Sequence, residues 1–230
     1  MLTPGRRRGV EILDDPAVDP AIRRRSLADV TRSNRWLGGL RAGVLALEDA
    51  GRPAGAHTLL DVGTGLADIP ERARREARRR GATITTIGVD EAPALLASAA
   101  ARLDHVVAAN ARALPFRDHS IDVVMCSQLL HHFEANEAEQ VLAELDRVAR
   151  HAVVVSDLRR SWVAAAGFWI VAHVLRFHRV TRHDGVVSVL RGFTAAELRR
   201  HVQAATGSTP TVRRRLGFRL TAHWSPRGTA

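Results

Sequence analysis

The stretch HTLLDVGTGLAD, residues 57–68, decides how this chain is read. Thr58, Leu59, Leu60 and Val62 form a short apolar run suited to a buried strand. Gly63-Thr64-Gly65 then supplies a tight turn into a helix expected to begin near Leu66. Glycine belongs at such a turn because the backbone takes unusual φ/ψ values there and a ligand comes closer than a Cβ would allow. Strand, glycine turn and helix together predict a nucleotide pocket. A dinucleotide fingerprint, G-x-G-x-x-G, would place its third glycine where Asp68 stands, so that pattern is broken at the residue that packs helix on strand. An ordinary strand-to-helix turn stays open as the plain alternative.

Downstream, the pattern repeats as alternating strands and helices. Ile84, Ile87 and Val89 read as a second strand ending in Asp90, 29 residues beyond Asp61. That is somewhat more than the roughly 20 residues at which a βαβ unit places an acid on a ribose, and a carboxylate there accepts from both hydroxyls. A helix from Pro93 to Leu103 and a third strand from His105 to Ala109 follow, then Asn110-Ala111 and the segment LPFRDHSID, residues 114–122. A fourth strand, Ile121 to Ser127, runs into Gln128-Leu129-Leu130-His131-His132-Phe133. Ligands of open α/β sheets sit at the carboxyl ends of the strands, so these residues border the reaction space. A helix from Glu137 to Val148 leads to a fifth strand, Ala152 to Val155, and to Asp157.

Asp61 with Gly63 and Gly65 resembles the first motif of class I S-adenosylmethionine-dependent methyltransferases, an acidic residue followed by G-x-G-x-G, with Ala67 at the position of the third glycine. Residues 114–122 resemble the L-P-F-x-D-x-S-F-D segment of the ubiquinone- and menaquinone-biosynthesis-like (type 11) group, and D-L-x-R-S at 157–161 resembles small members acting on quinones, polyketides or phenols. The resemblance implies an α/β Rossmann-like fold with a seven-stranded, mostly parallel sheet and a C-terminal antiparallel hairpin. It implies S-adenosylmethionine as cofactor and S-adenosylhomocysteine as product, held by Asp61, Gly63, Thr64, Gly65, Asp90, Glu91, Asn110, Ala111 and Ser127. Relatives often carry aspartate where Asn110 stands, to accept the adenine amino group; its amide oxygen can do the same.

A histidine can take the proton of a phenol or enol, so His132, with His131 second, is the expected base. Asp157 is expected to hold the base's tautomer, to bind a polar acceptor group or to cap the next helix. That helix, Trp162 to Phe177, is apolar nearly all round but shorter than the roughly 20 residues a bilayer needs, and reads as a lid or a contact for a second copy. Trp36, Trp162, Trp169, Asp184 and Arg191 are the expected acceptor contacts, with residues 182–193 read as a polar loop. Thr194 and Glu197 form a capping box for a helix from Ala195 to Ala205, and strands Thr211–Leu216 and Phe218–Trp224 close the chain around Gly217.

Before the glycine turn, Ile22, Leu27, Val30, Trp36, Leu37, Leu40, Val44 and Leu47 recur at mostly three- and four-residue spacings. They predict two helices broken between Ser33 and Gly39, packed over the cofactor's mouth or into the core. The expected organisation is thus a leader over 1–50 and a methyltransferase domain over 51–230, with a helical lid inserted at about 159–193.

Composition bounds the partners. The net charge of +10 comes wholly from arginine, without a single lysine, which argues for coding bias over a nucleic-acid surface. Nucleic-acid base methylation also wants an N-P-P-aromatic signature where Ser127-Gln128-Leu129-Leu130 stands. Cys126 is the only cysteine, which excludes an internal disulfide and a cysteine zinc cluster. The Asn110 region lacks an acidic metal set, so no metal is expected. Arg6, Arg7 and Arg8 are followed by acids and no apolar core, so a cytoplasmic protein without stable membrane insertion is expected. The reaction expected is methylation of a small hydrophobic or aromatic acceptor, preferably at oxygen. N- or C-methylation, or a non-catalytic cofactor-binding scaffold, remain the alternatives.

Overall fold

The computed structural model describes residues 3–7, 9–15, 17–51 and 55–227. Its elements are α1 (Pro20–Trp36), α2 (Gly39–Asp49), β1 (His57–Val62), α3 (Asp68–Arg79), β2 (Ile84–Asp90), α4 (Pro93–Ala99) and β3 (His105–Ala108). There follow β4 (Ile121–Ser127), α5 (Ala135–Val148), β5 (Ala149–Leu158), α6 (Trp162–Val174), α7 (Arg179–Arg191), α8 (Ala195–Thr206), β6 (Thr211–Arg215) and β7 (Arg219–Trp224). Two short 3-10 helices, Ile12–Asp14 and Leu130–His132, lie on the site side.

The strands form one sheet in the order β3-β2-β1-β4-β5-β7-β6, parallel through β5 and antiparallel at β7 and β6. This is the α/β architecture of class I methyltransferases, hairpin included. The order reverses between β1 and β4, and that switch point opens the crevice above the carboxyl ends of both strands. Alternation along the strands divides the core in two. Leu59, Val123, Met125 and Val154 meet Ala46, Leu47, Ile69, Ala73 and Ala77 of α2 and α3. Leu60, Val62, Val124, Val153 and Val155 face the other way, onto α5 and α8.

The leader breaks at Leu37-Gly38, within the expected interval, but α1 departs from its expected apolar stripe: its buried residues are Ser26, Asp29 and Ser33, while Val30 is exposed. Asp29 explains the polar face, because its carboxylate accepts from the His178 amide at 2.7 Å and from the Thr181 hydroxyl at 3.4 Å. Residues 182–191, read as a loop, are the helix α7. Its polar residues Asp184, Ser188 and Arg191 fasten residues 9–14 of the N-terminal segment. Gly185 lets α6 come close, since a Cβ there would sit 2.1 Å from the Phe168 ring.

The turn between β6 and β7 passes over the leader. Gly217 has φ +72°, and a Cβ on it would stand 2.0 Å from the Leu37 carbonyl oxygen. Gly217→Ala therefore meets both left-handed strain and a backbone overlap, and should lower stability by about 2–3 kcal/mol, read as a fall in the urea midpoint.

Candidate active site

The glycine turn builds a pocket floor from backbone amides and two acids. The amides of Gly63 and Thr64 donate to the Val89 carbonyl at 2.8 and 2.9 Å, which ties the turn to the end of β2. Asp90 accepts from the Gly65 amide and from the Ala92 amide, both at 3.0 Å, so its carboxylate is held at the lip. Gly63 (φ +71°) leaves no room for a side chain, because a Cβ would lie 2.8 Å from Leu129, whereas beyond Gly65 (φ +51°) the space is open. Ala67, at the third-glycine position, is itself left-handed with φ +60° and fully buried, which accounts for a preference for glycine there.

Asp61 is the unusual group. It is buried, its Oδ2 accepts from the Thr64 hydroxyl at 2.9 Å, and its Oδ1 has no hydrogen-bond partner. Burial pushes its carboxyl up to about 7, the nearby charge of Asp90 adds to this, and the Thr64 hydrogen bond opposes it. The Ser127 hydroxyl is likewise buried without a partner. An orphaned carboxylate oxygen, an orphaned hydroxyl and a ribose-lip acid around open glycine space fit a cationic, amino-acid-bearing nucleoside. Asp61, Ser127, Gly65 and Asp90 would hold it. Of the other expected contacts, Ala111 is buried, Glu91 is exposed, and the Asn110 amide oxygen already accepts from the Arg112 amide at 2.7 Å.

Across the switch point, the buried His131 ring engages Asp157 on β5, Nδ1 to Oδ1 at 2.6 Å, and the Asp157 Oδ2 accepts from the His131 amide at 3.1 Å. Asp157 caps no helix, since α6 starts after Ser161. Burial alone would raise its carboxyl, but the charge and hydrogen bond of His131 and the Leu158 amide outweigh it and hold the group below the usual carboxylate range. His132 does not touch Asp157; its Nδ1 lies 3.5 Å from Asp14. Burial lowers His132, yet the Asp14 hydrogen bond and the charges of Glu11 and Asp14 raise it on balance.

A strap formed by residues 3–7 and 9–15, which the sequence did not announce, covers this pair. Arg191 donates to the carbonyls of His131 (3.0 Å) and His132, and to that of Gly9 at 3.2 Å. Arg6 donates to the Phe133 carbonyl at 2.7 Å and lies over the Phe193 ring. Asp184, expected to meet the acceptor, instead accepts from the amides of Ile12 and Leu13, both at 2.9 Å. Ser188 donates to Glu11 at 2.8 Å. Asp184, Ser188 and Arg191 stand at i, i+4 and i+7, one face of a helix, and that spacing was the available signal.

The expected tryptophan contacts are not brought to the pair. Trp36 is 75% exposed at the end of α1, and Trp162 and Trp169 lie on an outward stripe of α6 with Ile170 and Val174. A hollow of about 550 Å³ between α1, α2 and α3 lies on the C-terminal half of α3, and its walls pair Arg72 with Glu76 and Arg80 with Glu48. Among the described residues no helix is long and apolar enough to cross a membrane.

Residues 60–155 match the model of a methyltransferase domain. No curated protein matches the chain in sequence. Among solved structures, a SAM-dependent methyltransferase from Aquifex aeolicus is similar with TM-score 0.63 and 17% identity, over 90% of this chain and 98% of that one. One from Thermotoga maritima, described as a possible histamine N-methyltransferase, gives 0.62 and 13%, over 90% and 99%. Magnesium protoporphyrin IX methyltransferase from Synechocystis, with bound S-adenosylhomocysteine, gives 0.53 and 12%, over 92% and 90%. Residues 60–155 thus carry the methyltransferase-domain match, and the structural likenesses show a shared fold.

Proposed function

We propose that the chain methylates a hydroxyl of a small hydrophobic or aromatic acceptor, in the manner of the type 11 group, with S-adenosylmethionine as donor. The observation that carries this reading is the pairing of an orphaned Asp61 oxygen on one side of the switch point with the His131–Asp157 dyad on the other. The bound cofactor would supply an electrophilic methyl group on a sulfonium.

The residues of the chain then have separate tasks. Asp61 and Asp90 orient the donor, Asp61 by charge and Asp90 by its fixed carboxylate at the lip. Asp157 accepts from Nδ1 of His131 and so keeps the lone pair on Nε2. Nε2 would take the proton of the acceptor hydroxyl as that oxygen receives the methyl group from a bound S-adenosylmethionine, which would leave as S-adenosylhomocysteine. His131 thereby replaces His132 as the preferred base. The strap excludes water above the pair, and alignment in a dry site supplies most of the acceleration.

Calorimetry with S-adenosylmethionine and S-adenosylhomocysteine tests the donor half, with Asp90→Ala expected to weaken both. Turnover of a panel of phenols and quinols tests the acceptor half. His131→Ala should lower kcat about 10²- to 10⁴-fold, and His132→Ala far less. Equal rates in parent and His131→Ala would sink the base assignment, and absence of binding by either ligand would sink methyl transfer altogether.

A further inference from the structure

We infer that Glu11, His131 and His132 bind one divalent ion of the zinc class, and that this ion clasps the N-terminal strap onto the histidine turn. The Glu11 Oε1 stands 3.9 Å from His131 Nε2 and 3.9 Å from His132 Nδ1, and the three ligand atoms lie within 4.8 Å of one another. Ligands of a tetrahedral zinc ion at about 2.1 Å are about 3.4 Å apart, so closure requires each to move by less than 1 Å. Two imidazoles and a carboxylate are a donor set that suits zinc, and three protein ligands leave one position for water.

The surroundings are those of a supported site. The Nδ1 of His131 is engaged by the buried Asp157, which aims Nε2 at Glu11 and makes the imidazole a better donor. Ser188 donates to the Glu11 carboxylate at 2.8 Å and so fixes its rotamer. Arg191 holds the carbonyls of both histidines, which sets the turn, and its remaining nitrogen is 3.8 Å from Glu11. Asp14, 3.5 Å from His132 Nδ1, adds negative charge beside the ion. The expectation of no metal rests on the Asn110 region alone; Glu11 lies 120 residues from His131, and only the fold of the strap brings them together.

Binding of the ion stands on this geometry alone. A second consequence rests on the methyl-transfer reading: the ion and the acceptor proton compete for the same Nε2, so the loaded chain is inactive.

Zinc titration of the chelator-treated full chain, followed by calorimetry without cofactor, tests the site. One equivalent should bind in the parent, and Glu11→Gln and His132→Gln should each weaken it at least about tenfold while circular dichroism shows both folded. Hydrogen exchange at the Ile12 and Leu13 amides should slow when zinc is added to the parent. Absence of stoichiometric binding, or unchanged binding in Glu11→Gln, overturns the inference. S-adenosylmethionine binding retained in Glu11→Gln would show the donor pocket to be intact whichever way the metal result falls.

Discussion

Asp61→Asn is expected to bind S-adenosylmethionine about 10- to 100-fold more weakly than the parent and yet to resist urea better at pH 8. The first effect follows from the loss of a charged partner for a cationic ligand, worth about 1.5–3 kcal/mol. The second follows from burial. Asp61 is held at about 7 in the folded chain against an ordinary value of 3.8, so between these values the folded state keeps a proton that the unfolded state has lost. Stability therefore declines as pH rises from about 4 to about 7 and stays reduced above, by at most on the order of 4 kcal/mol. An asparagine removes that burden but leaves its own amide without a partner, which costs about 1–3 kcal/mol. The net gain should be about 1–2 kcal/mol at pH 8 and should fade by pH 5. Cofactor binding draws Asp61 into its ionised form, so calorimetry near pH 7 in buffers of different ionisation enthalpy should register proton release in the parent and none in the variant. Equal urea midpoints at pH 8, or proton release that survives the substitution, would refute this account of Asp61.

Asp157→Ala should cost about 3–5 kcal/mol, the largest loss expected of any single substitution considered. Its carboxylate takes the His131 ring, the His131 amide and the Leu158 amide, and removing it strands buried donors. The pH dependence has the opposite sign to that of Asp61. Asp157 is held below its ordinary value when folded, so its contribution is complete above about pH 4 and is lost as pH falls through the folded value. Parent and variant should therefore differ widely in thermal midpoint at pH 7 and converge in acid. A gap that persists unchanged in acid would mean that the carboxylate charge is not what stabilises this region.

Much of the fold was legible because local and global signals agree. The β4 strand spans Ile121–Ser127 as its apolar run indicates, and the Thr194–Glu197 capping box is present in both directions, with Thr194 accepting at 3.2 Å and Glu197 at 2.8 Å. The hairpin was readable from Gly217 between two β-rich runs. The helix α7 was not, since the face that would normally carry an apolar stripe carries Asp184, Ser188 and Arg191 to hold the strap. The site divides along the same line. Asp61, Gly63, Gly65 and Asp90 belong to consecutive strand ends and follow from chain order. Glu11 reaches the histidines only through tertiary contacts. Which of two adjacent histidines meets Asp157 depends on the twist of one 3-10 turn, which composition does not encode.

Cys126 lies in the innermost strand pair, fully covered on the α5 side, and burial pushes its thiol well above the ordinary range. It is also the only thiol of the chain. Because only the thiolate reacts and only an opened sheet exposes it, the rate of alkylation at this one atom is a clock for the opening of the central strands. The molecule thus carries its own reporter of core integrity, one that sounds only when β4 parts from its neighbours.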